Sequence, residues 1–321
     1  MKKQLLIAAV AATMTSVAIA DISITGGMKA NYKSYDNAGV DSNTITTETD
    51  LQVTGKTGGT TVYRELNTDS AADGITSDNF DVEDVWMKTS IAGATVKAGT
   101  WNGSDSLVSR DSDRSAGRFE VSTAVSGVTV IVDGNATGNK NITLKGDVAG
   151  VAVSYKIDDN DADEYKIATT MQGVSVAYHN VDAGNHADTG VAVANSGKSS
   201  LLVSGSVQGF ELSYAQAKTD SAATIDGDSY FGDTNAFQTG MTANDDISGF
   251  GISTSLAGNT VSAKSFTVDN SGATADQDFT KLTVTRPLAG GATLEVQYTD
   301  EDGGTTDSSK ETFDVELAVK F

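Results

Sequence analysis

The sequence has no cysteine, one proline, two histidines, and only 22 basic residues against 43 acidic ones in a chain of 321. Without cysteine there is no disulfide framework, no thiolate metal site and no thiol nucleophile. His179 and His186 alone leave too few imidazoles for a metal centre, so neither a metal nor a cofactor is expected. A formal net charge of −21 argues against nucleic acid as a partner, because binding to phosphates is driven by clustered Lys and Arg. The shortage of proline, set beside 33 glycines, points to many strands that cannot spare a backbone N–H, joined by tight turns. The composition favours an all-β chain.

Long apolar runs are missing too, except at the start. Residues 1–20 carry Lys2 and Lys3, an apolar stretch from Leu5, and the small-x-small sequence Ala18-Ile19-Ala20. That is the pattern of a cleaved signal peptide, with the cut between Ala20 and Asp21. Thr13, Thr15 and Ser16 interrupt the stretch, which is shorter than the roughly 20 apolar residues that span a bilayer. The mature segment, 21–321, is therefore expected outside the cytoplasm of a bacterium.

From Asp21 on, one unit repeats: an alternating segment, a short glycine-containing connector, a second alternating segment, then a longer polar stretch. The short connectors are Thr57-Gly58-Gly59, Ala92-Gly93, Ser126-Gly127, Ala149-Gly150, Gln172-Gly173, Gln208-Gly209, Ala257-Gly258-Asn259 and Leu288-Ala289-Gly290-Gly291. The long ones, such as 36–43, 67–79, 158–163, 182–196 and 218–245, are rich in Asp, Asn, Ser and Thr. In the last segment Phe313, Val315, Leu317, Val319 and Phe321 share one face, and Asp314, Glu316 and Lys320 the other, which is the period of a strand. Alternation alone does not separate a soluble sandwich from a barrel. Segment lengths of about 8 to 12 residues suit tilted membrane strands, and a series of hairpins closes most simply into a barrel without free edges. Aromatics near segment ends, among them Tyr32, Trp86, Trp101, Tyr155, Tyr178 and Phe313, read as interfacial girdles. The expected fold is a transmembrane antiparallel up-and-down β-barrel of sixteen to eighteen strands. Short turns lie at the periplasmic end and longer loops outside; counting hairpins gives eighteen.

With these features the chain resembles the Gram-negative general porins. The resemblance rests on the start Asp21-Ile22-Ser23-Ile24-Thr25-Gly26-Gly27, the strand Ala94-Thr95-Val96-Lys97-Ala98-Gly99-Thr100 after a tight turn, the charged segment that follows it, and the end Val315-Glu316-Leu317-Ala318-Val319-Lys320-Phe321. It implies a homo-trimer of water-filled barrels, usually sixteen-stranded, in the outer membrane, surrounded by lipid and lipopolysaccharide. Terminal Phe321 would be the signal read by the outer-membrane barrel assembly machinery. The resemblance also makes 102–117 an inward-folded constriction loop. Its acids Asp105, Asp111 and Asp113 would face bases on the wall: Arg118, Lys29, Lys88 and, as a further candidate, Arg64. Arg110 and Arg114 would pair locally with Asp111 and Asp113.

Other readings are weaker. The run Asp158-Asp159-Asn160-Asp161-Ala162-Asp163-Glu164 suits a hard cation in its alternating carboxylates, but lacks the glycine and distant glutamate of a helical calcium loop. No nucleophile-elbow pattern accompanies the histidines, so no enzyme is expected. The function expected is passive diffusion of small hydrophilic solutes and ions. The alternatives are a secreted or surface β-rich adhesin or coat protein, which has no need of a terminal Phe321, and a substrate-selective channel. The last would want an aromatic stripe in the lumen, and none is evident in the sequence.

Overall fold

The computed structural model describes residues 21–37, 40–70, 81–102, 114–136, 138, 140–158, 163–182, 197–220, 245–269, 276–303 and 310–321. The signal segment and most of the 102–117 loop, with Asp105, Asp111 and Asp113, lie outside them. Eighteen strands follow one another: β1 (Asp21–Asn37), β2 (Val40–Thr57), β3 (Thr60–Ser70), β4 (Asp81–Ile91), β5 (Ala94–Asn102), β6 (Arg114–Val125), β7 (Val128–Gly134), β8 (Lys140–Val148) and β9 (Val151–Asp158). The second half runs β10 (Asp163–Met171), β11 (Val174–Val181), β12 (Lys198–Val207), β13 (Phe210–Thr219), β14 (Asp246–Leu256), β15 (Asn259–Asp269), β16 (Gln277–Pro287), β17 (Ala292–Gly303) and β18 (Lys310–Lys320). Each pairs antiparallel with its neighbours in sequence, and β1 pairs with both β2 and β18. The sheet is closed and has no edge. The count is the eighteen of the hairpin tally, two more than the general-porin resemblance implies.

All eight short connectors expected from the sequence are hairpin turns. In six of them the residue before glycine is itself left-handed, with φ of 50° to 54° at Ala92, Ser126, Ala149, Gln172, Gln208 and Ala257. Two successive positive φ values match the right-handed twist of the flanking strands. Two long connectors are shorter than their polarity suggests. The stretch 36–43 continues the β1–β2 ladder to the pair Asn37↔Val40, and β3 runs on to Ser70. Beyond the bilayer both faces of a strand meet water, so pairing no longer needs apolar alternation.

Register assigns every strand residue to a face, since residues directly opposite share one. The outer face carries Ile24 at 55% exposure, Ile45 at 63%, Val148 at 68% and Phe250 at 68%. A soluble sandwich would bury such side chains; here they form the belt that meets lipid tails. Among the described residues no helix is long and apolar enough to cross a membrane, and the strands do so instead. Tyr165 and Tyr178, 5.9 Å apart, and Tyr214 and Phe250, 5.1 Å apart, belong to the outer aromatic girdle.

Trp86 and Trp101, expected in that girdle, point the other way. Trp86 shares the inner face with Tyr63, its register partner, and the rings stack at 5.0 Å. Trp101 follows Lys97 and Gly99 on the inner face of β5 and is 6% exposed. Gly99 makes this packing possible. Its φ is 139°, and an added Cβ would lie 2.1 Å from the Val85 carbonyl oxygen and 2.6 Å from the Trp86 Cα. Both atoms belong to backbone and cannot yield. Gly99→Ala is therefore expected to cost roughly 2 kcal/mol or more, through overpacking and left-handed strain together. A lower thermal midpoint of the refolded barrel in detergent checks this, while Gly93→Ala, whose Cβ meets nothing within 4 Å, should cost less.

Candidate functional site: the charged lumen

Inward faces are polar. On β1 and β2, Lys29 pairs with Glu48 at 2.5 Å, and Asp50 and Gln52 continue the same face. On β3, Glu65 accepts from Gln52 at 2.8 Å and from the Tyr63 hydroxyl at 3.1 Å. On β18, Asp314 accepts from Asn31 Nδ2 at 2.7 Å, and Glu316 and Glu295 face each other across β17 and β18. Strands β17 to β3 thus present an acidic arc in which Lys29 is engaged by a carboxylate.

Across the barrel lysines and carboxylates are interleaved. Eighteen strands in a ring place β18 opposite β9 and β1 opposite β10. There Lys145, Lys156 and Lys166 face inward on β8, β9 and β10. Glu164 lies among them, 3.3 Å from Lys156 Nζ, 3.4 Å from Lys166 Nζ and 3.1 Å from His179 Nε2. Two ammonium groups share this carboxylate, and register puts Asp147 and Asp158 on the same inward face. A basic cluster lies on β4 to β6. The Lys97 ammonium sits 4.6 Å from the Trp86 ring centre and 4.1 Å from that of Trp101. The Arg118 guanidinium stands 4.8 Å from the Trp101 ring centre, and its Nη1 donates to the Trp101 carbonyl at 3.3 Å. Cation–π contact fixes these long side chains while leaving their charge toward the lumen.

The four wall bases named from the sequence divide accordingly. Lys88 on β4 and Arg118 on β6 are both inward, on either side of β5, which the inner-face row Lys88, Lys97, Glu120 crosses. Lys29 is also inward, but in the acidic arc. Arg64 is not in the pore: it is exposed on the outer face of β3, between Val53 and Val85, in line with Val62 and Leu66. Its charge suggested a lumen role; its parity with two apolar neighbours places it toward lipid, where a long stem can carry the guanidinium to the interface. Lys97 was not named among the wall bases, although its parity puts it in the row of Lys88. The lumen aromatics were missed because Val85, Trp86 and Met87 are three apolar residues in succession, and because a bulge shifts register between Gly99 and Trp101. Even spacing, two residues from Lys88 to Trp86 and four from Lys97 to Trp101, was the signal that placed both rings inside.

Further round, Ala215, Ala217, Ile247, Phe266, Val268 and Phe279 form a buried cluster on the inner face of β13 to β16, with Phe266 and Phe279 stacked at 4.7 Å. The proposed cation run 158–164 lies partly outside the described residues, and its Glu164 is engaged by lysines and histidine. Ser200 faces His179 across β11 and β12, but among the described residues its Oγ has no hydrogen-bond partner, so the two do not form a nucleophile–base pair.

A closed barrel of eighteen strands with an apolar exterior and a charged, aromatic-lined interior defines a membrane-spanning channel fold. Solved structures share it: OccK2 (OpdF) of Pseudomonas aeruginosa in complex with glucuronate, at 10% identity and a TM-score of 0.70 over 94% of this chain and 98% of that one; OccK11 (OpdR) of the same organism, at 9% and 0.69 over 94% and 96%; and OccAB4 of Acinetobacter baumannii, at 11% and 0.63 over 94% and 98%. At such identities the likeness is one of fold. No family model matches the sequence, and no curated protein matches it.

Proposed function

We propose that the protein is a passive outer-membrane channel for small hydrophilic solutes, with selectivity imposed by its wall. The observation that carries this reading is the uneven charge of the lumen wall, with an excess of acids on β17 to β3 and, across from them, lysines interleaved with carboxylates on β8 to β10. Such a wall orients water and dipolar solutes, and draws anionic groups to one side. The lumen aromatics Tyr63, Trp86 and Trp101 favour the substrate-selective form of this function over an unspecific pore. The glucuronate found in complex with OccK2, a protein of the same fold, is a solute of the size and charge that such a wall would sort. A homo-trimer, lipopolysaccharide contact, delivery by the barrel assembly machinery, and Asp105, Asp111 and Asp113 as the acidic side of a constriction are the parts of the reading that rest on the porin resemblance.

Purified from outer membranes, the protein should migrate on gels with heat-dependent mobility, because every strand hydrogen bond is enclosed in the barrel. Added to a planar bilayer, it should produce stepwise, ohmic increases in current. A chain recovered soluble without detergent, or one that inserts without conducting, would remove the channel reading.

A further inference from the structure

Among the described residues, register puts one charge inside the apolar belt of the outer face, away from the strand ends: Arg64. Its row runs Ile24, Val53, Arg64, Val85 and Thr100 on β1 to β5. The side chain is exposed, and among the described residues it has no hydrogen bond or ion pair. Glu83 and Asp84, in the bulge opposite Glu65, do not meet it. Glu83 accepts from Asn67 on the inner face at 3.3 Å, and Asp84 acts on Tyr63 and Lys97 there. A guanidinium does not lose its proton, and on a lipid face its cost rises with depth. Arg64 therefore calls for an anion from outside the chain.

Height in the membrane decides which anion. Outward carboxylates of the described residues, among them Asp36, Asp41, Asp278 and Glu311, stand at the extracellular ends of their strands. On β2, Asp41 is about 40 Å along the strand from Val53, the partner of Arg64. A second copy related by an axis along the membrane normal keeps every residue at its own height, so it brings none of these acids to Arg64. The short-turn end is nearer. Thr60, where β3 begins, is about 13 Å away along the strand, or about 10 Å across the membrane once strand tilt is allowed for. An arginine stem lying along the wall covers much of that depth. Gly55, between Ile22 and Val62 in the next row toward the turn, leaves the way without a side chain on β2. At the edge, the Thr60 and Thr89 hydroxyls lie 2.8 Å apart. One donates to the other, which leaves one O–H for a further acceptor.

We infer that Arg64, with the Thr60 and Thr89 hydroxyls at the edge below it, docks the phosphodiester group of a phospholipid of the periplasmic leaflet. The planar guanidinium takes two phosphate oxygens, and the acyl chains lie on Val62, Val85 and Met87, which are exposed on the same face. The inference goes beyond the channel function and concerns the outside of the barrel, so it does not depend on conduction.

The test is native mass spectrometry of the folded barrel released from detergent micelles that contain phosphatidylglycerol. The parent should retain one phosphatidylglycerol. Arg64→Leu puts an apolar residue on a lipid face and should fold, as its heat-modifiable band shows, while the retained fraction falls about tenfold, the loss expected for a charge-assisted bidentate contact. Arg64→Lys keeps the charge without the fork and should fall between the two. Retention that is equal in all three proteins, or absent from the parent, overturns the inference. So does lipid A, offered in place of phosphatidylglycerol, being held more strongly through Arg64, because its phosphates belong to the other leaflet. A multimer that the parent shows and Arg64→Leu lacks, with lipid retention unchanged, would assign Arg64 to a contact between copies and overturn it too. If Arg64→Leu gives no folded band, the difference between the parent and Arg64→Lys decides alone.

Discussion

Deleting Phe321 should reduce the amount of heat-modifiable barrel in the outer membrane by about tenfold, the equivalent of roughly 1.4 kcal/mol in an equilibrium. Two links converge on this residue. Its N–H donates to the Gly26 carbonyl and its carbonyl accepts from the Gly26 N–H, both at 2.9 Å. These bonds extend the β1–β18 seam that closes the sheet, and a net value of about 1 kcal/mol each already exceeds the shift required. Its ring also lies over Gly26, where an added Cβ would come within 2.9 Å of the ring carbon Cζ. An assembly signal at Phe321, which the porin resemblance implies, would add a kinetic loss to this thermodynamic one. Phe321→Leu keeps the backbone bonds and an apolar side chain, so it should retain more barrel than the deletion. Quantifying folded and unfolded bands from membrane fractions checks both, and unchanged levels in the deletion variant would count against both links.

Replacing Arg118 with glutamate should shift the permeability ratio toward cations by up to about tenfold, and doing the same at Lys97 should act in the same direction. Both charges face the lumen and are held against tryptophan rings at 4.1 to 4.8 Å, so they cannot swing away from passing ions. An ion a few ångström from a fixed unit charge, at a dielectric between those of water and protein, feels of order 1 kcal/mol, and a reversal doubles the change. The rim carboxylate Asp41, on the outer face of the β1–β2 hairpin, stands in open water where the Debye length is about 8 Å at physiological salt. Asp41→Lys should move the ratio little, and not at all at high salt. Reversal potentials under a salt gradient separate the sites. Equal shifts at Arg118 and Asp41 would show that the tryptophan-clamped cluster does not set ion choice. Arg64→Glu supplies a further contrast, because a residue on the lipid face should leave the ratio unchanged.

Much of this architecture was legible from residue order alone. The period of two, the eight glycine-bearing turns and the alternating end at Phe321 follow from backbone rules that act over a few residues, so they survive without tertiary information. They determined an all-β barrel, a hairpin count of eighteen strands beside the sixteen of the porin resemblance, and the polar-face position of Lys29, Lys88 and Lys97. Where the sequence is locally ambiguous, only the closed sheet decided. Val85-Trp86-Met87 has no alternation to read, and register with Tyr63 turned Trp86 inward. Arg64 has a charge that suggests water, but shares parity with Val62 and Leu66 and so faces lipid. The arrangement of charge was equally out of reach. Lys29 and Glu48, or Lys166 and His179, meet because strands pair, while the separation of the acidic arc from the lysines of β8 to β10 arises from bending the sheet into a ring. Sequence fixes which side of a strand a residue takes through local sterics; which residues confront one another across a lumen depends on strand number, register and closure, properties of the whole sheet.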